Sequence, residues 1–268
     1  MKLTQGQPLF RVEVPYNIFQ AQYDELGREA VKKISSDYKG TGVILDTLNP
    51  KAKEGPINGS NIYFRFALGN AYRELSGQDV LPINPRESEI ALANNTLTDP
   101  RETYEDLGLV VYPKKGHNPV SWKNQRKIAQ THFKDSINLS IPFVATGLMK
   151  PVRDDSFEYG LRLDYIPELT LMYNVPILTQ SWNTNTFSSE DPELQKTGFP
   201  SKLGEGNRTL YTANTGVLRL YRNWGLVLGA GDRYLAFSRA AGRVHMVAKN
   251  SSGNLSSLVE RLEQERTY

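Results

Sequence analysis

Alternation of apolar and polar positions is strictest over residues 157–165. Phe157, Tyr159, Leu161, Leu163 and Tyr165 fall on one side of an extended chain, and Glu158, Arg162 and Asp164 on the other. A period of two over this length predicts a strand with one buried face. Residues 169–177 repeat the pattern, with Pro176 marking an edge or an end. Shorter strands are expected at 9–14, 41–45 and 109–111, and Ile137, Leu139 and Ile141 also alternate. Residues 216–222, 225–230, 233–239 and 243–249 read as a four-strand meander, with Asn223-Trp224, Gly231-Asp232 and Ala241-Gly242 as its turns.

Helical spacing is found in fewer places. Phe19, Tyr23, Leu26, Ala30 and Ile34 recur at three- and four-residue intervals, so a helix capped by Asn17 is expected to reach about Tyr38. Gly27 sits inside it at a cost of about 1 kcal/mol relative to alanine. Over 61–75, Ile62, Phe64 and Phe66 alternate like a strand while the following residues favour a helix, which predicts a strand running into a helix. Asn118-Pro119 supplies a cap and a first-turn proline for a third helix, with Trp122, Ala129 and Phe133 on one face. Ser257 and Glu260 stand at capping-box spacing for a short closing helix. Residues 40–60 and 76–108 read as largely irregular, and 181–209 as a long polar loop. The expected class is therefore α+β and β-rich: antiparallel sheets and a C-terminal meander, packed by a few helices. Residues 1–134 form a mixed part ending in the basic helix and 135–268 a β-rich part, together one unit.

Composition narrows the partners more than the fold. Hydrophobic residues make up 39% and charged residues 23%, which is enough apolar side chain for a core. Cysteine is absent, which removes disulfides and thiolate chemistry. The N-terminal residues lack the apolar centre of a signal peptide, and the longest apolar run, 141–149, is too short to span a bilayer. A cytoplasmic protein without membrane contact is expected. The net charge of +3 conceals alternating blocks. Lysines and arginines number twelve against fifteen acids over 1–111, six against none over 112–134, four against nine over 135–198, and ten against five over 199–268.

Two basic segments follow from this distribution. The first holds Lys114, Lys115, Trp122, Lys123, Arg126 and Lys127, where cations beside an aromatic suit phosphates and a stacked base. The second holds Arg233, Phe237, Arg239, Arg243, His245 and Lys249 on the meander; strand alternation puts Arg243, His245 and Lys249 on one face and Val244, Met246 and Ala248 on the other. Cations interleaved with a ring on an open sheet match the way single-stranded nucleic acid is held. The stretch GLVLGAGDRYLAFSRAAGRVHMV, about a tenth of the chain, loosely resembles the glycine-rich hairpin of repeat-associated RNA-binding proteins of CRISPR complexes, though its glycines are sparser. That resemblance implies a ferredoxin-like core that holds guide RNA.

Catalytic signals are weaker. His117, His132 and His245 have no second histidine at ligand spacing, and neither a phosphate-binding glycine loop nor a Gly-x-Ser-x-Gly elbow occurs. Asp154, Asp155, Glu158 and Asp164 are the one acidic group placed for a divalent cation. The expectation is a non-catalytic protein without cofactor that binds RNA or single-stranded DNA, working with other subunits of a ribonucleoprotein-type assembly. The alternatives are a structural assembly protein of a virion shell or tail and, more weakly, a metal-dependent nuclease.

Overall fold

The computed structural model describes residues 17–46, 48–49, 51–59, 61–97, 103–113, 130–131, 137–179, 183–213, 216–223, 227–232 and 235–248. The strand expected at 9–14, the closing helix and all of the helix on Trp122 except residues 130–131, which are helical, lie outside these residues. Within them, five helices and ten strands make an α+β, sheet-rich fold.

Two sheets organise the chain. A three-stranded antiparallel sheet has the order β1-β10-β2, from β1 (Asn17–Gln20), β10 (His245–Ala248) and β2 (Val80–Pro82). A seven-stranded sheet has the order β5-β4-β3-β8-β9-β7-β6. Its strands are β3 (Glu105–Tyr112), β4 (Phe143–Arg153), β5 (Leu161–Asn174), β6 (Asn183–Phe187), β7 (Arg208–Thr212), β8 (Gly216–Asn223) and β9 (Val227–Asp232). All pairs are antiparallel except β7 with β9. Strands from the first and second halves of the chain share both sheets.

One core lies where α1 (Glu25–Asp37) and α3 (Ile62–Ser76) pack on one face of β3 and β4; Leu109, Val111, Phe143 and Ala145 join it. A second core receives Val110 and Val144 on the opposite face, beneath α4 (Pro85–Ala93) and α5 (Pro192–Thr197). Burial on both faces explains why 107–112 and 143–149 are nearly continuous apolar runs rather than alternating ones.

Several elements differ from the sequence expectation. The first helix starts at Glu25, not near Asn17, because Asp24 is the cap and accepts the Gly27 N–H at 2.8 Å. Residues 17–20 are instead drawn into pairing with β10. Residues 42–45 form one helical turn, α2 (Gly42–Leu45), rather than a strand. Over 61–75 there is no strand: Asn61 caps α3 by accepting the Phe64 N–H, and Gly77 ends it in the left-handed region at φ 61°. Ile62, Phe64 and Phe66 look strand-like because the N-terminal half of α3 is buried on every side, which erases helical periodicity. Residues 76–108 hold β2, α4 and the start of β3, with a capping box between Asn84 and Glu87 and Pro85 in the first turn.

The strands expected at 157–165 and 169–177 are one, β5; residues 157–160 form the turn before it, and residues 137–142 form no strand. Across from Gly147–Met149 of β4, residues 166–169 bulge from β5, where Pro167 and exposed Glu168 blunt a sheet edge. The 181–209 stretch carries β6, α5 and β7. Of the expected meander, β8 and β9 form an antiparallel hairpin, 235–244 is irregular, and β10 crosses to the smaller sheet.

Candidate functional site

The 235–244 segment closes against residue 104, just ahead of β3. Tyr104 N–H donates to the Ala241 carbonyl at 3.2 Å, and Arg243 N–H returns a bond to the Tyr104 carbonyl at 2.9 Å. The Arg239 N–H donates to the Tyr104 hydroxyl at 2.7 Å. A turn closes between Arg239 and Gly242, whose N–H donates to the Arg239 carbonyl at 2.8 Å. These bonds fix the direction in which Phe237 and Arg239 leave the backbone.

Phe237 is 38% exposed, one of three large apolar side chains on the surface among the described residues. Tyr104 supports it from below at 6.4 Å between ring centres. The Arg239 guanidinium lies 4.7 Å from its ring centre, a cation–π stack. Arg239 is exposed and pairs with no carboxylate among the described residues. Arg243 is half-buried; its Nη1 donates to the Ala240 carbonyl at 2.6 Å, the Gly242 carbonyl at 2.8 Å and Asn58 Oδ1 at 3.1 Å. It therefore holds the turn and ties it to residues 51–59.

His245 does not share that surface. It is 1% exposed, since β10 is a central strand with cores on both sides: Met246 and Ala248 enter one core and Val247 the other. Its N–H donates to Glu105 Oε1 at 2.6 Å and its ring Nδ1 meets Glu105 Oε2 at 2.8 Å. Donation from Nδ1 leaves Nε2 without a hydrogen-bond partner. Arg222, on the neighbouring strand β8, is also 1% exposed. It stands 3.5 Å from Glu105 and its Nε donates to Ser88 Oγ at 3.3 Å. Burial pushes the Arg222 guanidinium below its ordinary value, against the opposing pull of Glu105 and Glu89.

Alongside, Arg208 forks onto both oxygens of Glu89 and lies 4.9 Å from the Phe187 ring centre. These charges join α4, β3, β7, β8 and β10 in one buried polar network. Lone charges at such depth are costly, and pairing is what allows two arginines and two glutamates to be buried here.

Lys114, Lys115, Trp122, Lys123, Arg126, Lys127, Arg233 and Lys249 lie outside the described residues. Of the acidic group, Asp154 and Asp164 do converge, but on Arg162, at 2.7 Å and 2.5 Å. No group of three or more potential metal ligands occurs among the described residues. No described helix is long and apolar enough to cross a membrane. Tyr104, Asn58 and the lysines at 51 and 53 were not singled out by the sequence. Tyr104 and Asn58 reach the loop through contacts between segments far apart in the chain, which no local pattern announces.

Fold and site together define an α+β, sheet-rich protein with a braced basic–aromatic loop and a buried polar network behind it. No protein-family profile, curated protein or solved structure matches the chain. The stretch that resembles a glycine-rich RNA-binding hairpin spans β9, the irregular segment and β10, which belong to different sheets.

Proposed function

We propose that this protein binds single-stranded nucleic acid, RNA or DNA, through the loop that carries Phe237 and Arg239. The observation that supports this reading most directly is the Arg239 guanidinium, exposed and without a carboxylate, stacked on an exposed ring. A nucleobase has a π-face of its own and stacks on phenylalanine whatever its identity; a nearby guanidinium serves the phosphate. Tyr104 and Arg243 position this pair, and the buried network holds the strands that carry them. The expected basic helix with Lys114, Lys115, Trp122, Lys123, Arg126 and Lys127 would add phosphate contacts, and other protein subunits would share the strand.

Fluorescence anisotropy with labelled single-stranded RNA and DNA, over a range of salt, tests the reading. Affinity is expected to fall linearly in log–log form as salt rises. Phe237→Ala is expected to weaken binding by about 5- to 150-fold, the equivalent of one stacked base, with the salt slope unchanged. Arg239→Ala is expected to lower the slope by about 0.7. No binding at low salt, or binding indifferent to salt, overturns it. Spontaneous high-order assembly of the pure protein, with no nucleic acid bound, would favour the shell or tail reading instead.

A further inference from the structure

Residues 51–59 form a strap beside the loop. On its inner edge Ile57 N–H donates to the Ala21 carbonyl at 3.0 Å, and Tyr23 N–H donates to the Gly55 carbonyl at 2.8 Å. Ala21 N–H in turn donates to the Val244 carbonyl at 2.9 Å. Residues 21–23 therefore lie between the strap and the basic loop. At ordinary strand spacing those two segments run about 10 Å apart. Asn58 and Arg243 close the gap at one end with a bond between residues 185 positions apart.

The strap carries Lys51 and Lys53, both exposed and neither in an ion pair among the described residues. Arg28 donates to the carbonyls of Lys53 and Tyr23, at 2.9 Å and 2.8 Å, which anchors the backbone that presents Lys53. Glu54 is the one carboxylate on the strap. From Lys53 to Asn58 the chain spans at most about 17 Å. Lys51 and Lys53 thus stand across residues 21–23 from the segment that carries Phe237 and the exposed Arg239.

We propose that the strap is the phosphate track of this site, with Lys51 and Lys53 holding the backbone of a strand whose base stacks on Phe237. The inference rests on the nucleic-acid reading above and adds the residues and the path. Lys51 and Lys53 act as phosphate contacts insensitive to base identity, and Asn58 with Arg243 fixes their distance from the ring.

The test uses the full chain and a labelled oligouridylate of about 12 nucleotides. Three variants are compared: Lys51→Ser with Lys53→Ser, Phe237→Ala, and the distant surface control Lys196→Ser. The paired lysine variant is expected to lower the salt slope by about 1.4, two single-strand phosphate contacts, while the control leaves it unchanged. Circular dichroism melting checks that all three fold. If the parent protein binds no oligonucleotide, the nucleic-acid reading fails and takes this inference with it. If the parent binds and Phe237→Ala weakens binding, but the lysine pair leaves affinity and slope as they were, the track alone is refuted. An equal loss from Lys196→Ser also refutes it, since that result describes general charge rather than a path.

Discussion

Replacing Glu105 with glutamine probes the buried network with almost no change of shape. Glu105 is fully buried and receives the His245 N–H at 2.6 Å, the His245 Nδ1 at 2.8 Å and the charge of Arg222 at 3.5 Å. Glutamine keeps the volume, so no cavity term enters. It removes the negative charge and sets an amide N–H₂ against a histidine N–H or a guanidinium, both donors. Arg222 then loses the carboxylate that most offsets its desolvation. Removing one member of a buried pair costs about 3–5 kcal/mol, a large part of the roughly 5–15 kcal/mol that holds a native domain together. Urea unfolding followed by circular dichroism should show a lower midpoint with an unchanged slope. Glu29→Gln, which breaks an exposed pair with Lys32, should cost under about 1 kcal/mol. Amide exchange at Arg239, Gly242 and Arg243 should quicken in the Glu105 variant, since the loop and the network meet at residues 104–105. A loss below about 1 kcal/mol would refute the reasoning, because it would mean that the charge is not what Arg222 and His245 depend on. Combining Glu105→Gln with Arg222→Met should recover much of the loss, as removing both ions often does.

Two further outcomes follow from the packing. Gly27→Ala, which helix propensity alone would favour by about 1 kcal/mol, should destabilise the protein by about 1–3 kcal/mol. A Cβ there would stand 1.7 Å from the Gln22 carbonyl oxygen and 2.9 Å from the Tyr72 hydroxyl, so a raised urea midpoint would contradict the packing. Burial pushes Tyr38 up to about 12, with Asp37 adding to it, and burial raises Tyr63, Tyr72, Tyr112, Tyr165 and Tyr173 further. Each neutral phenol favours the fold, so this stability is complete below the unfolded value near 10 and is lost as pH rises through the folded values. Phenolate absorbance should therefore show the exposed tyrosines ionising first and the buried ones together with loss of circular dichroism; ionisation of all fourteen near pH 10 with the fold intact would refute it.

The sheet-rich α+β class was legible because β5 alternates so regularly. Legibility failed where both faces of an element are covered. The N-terminal half of α3 mimics a strand for that reason, and β10 turns His245 inward although its neighbours in sequence suggested a surface. It failed again at Glu105, which follows Glu102 in a run that reads as solvated acid. Glu105 is buried only because Arg222, 117 residues later, pairs beside it across β3 and β8. The local signals that could have been used were the caps: Asn84-Pro85 with Glu87, and Asp191-Pro192 with Gly198, bracket helices in stretches that otherwise look irregular. Phe237, Arg239 and Arg243 could be picked from composition. Their brace, Tyr104, and their neighbours on the strap depend on which strands meet.

The position of β10 between β1 and β2 also bears on how the molecule comes into being. Its two flanking strands both precede it in the chain, yet neither pairs with the other, and the segment that joins them is made more than 160 residues after β2. Until it arrives, both carry an open backbone edge, and such long-range closure slows folding. Insertion of β10 seats His245 against Glu105 and lets the adjoining Phe237 loop reach Tyr104, so that loop is expected to be among the last parts of the described fold to form.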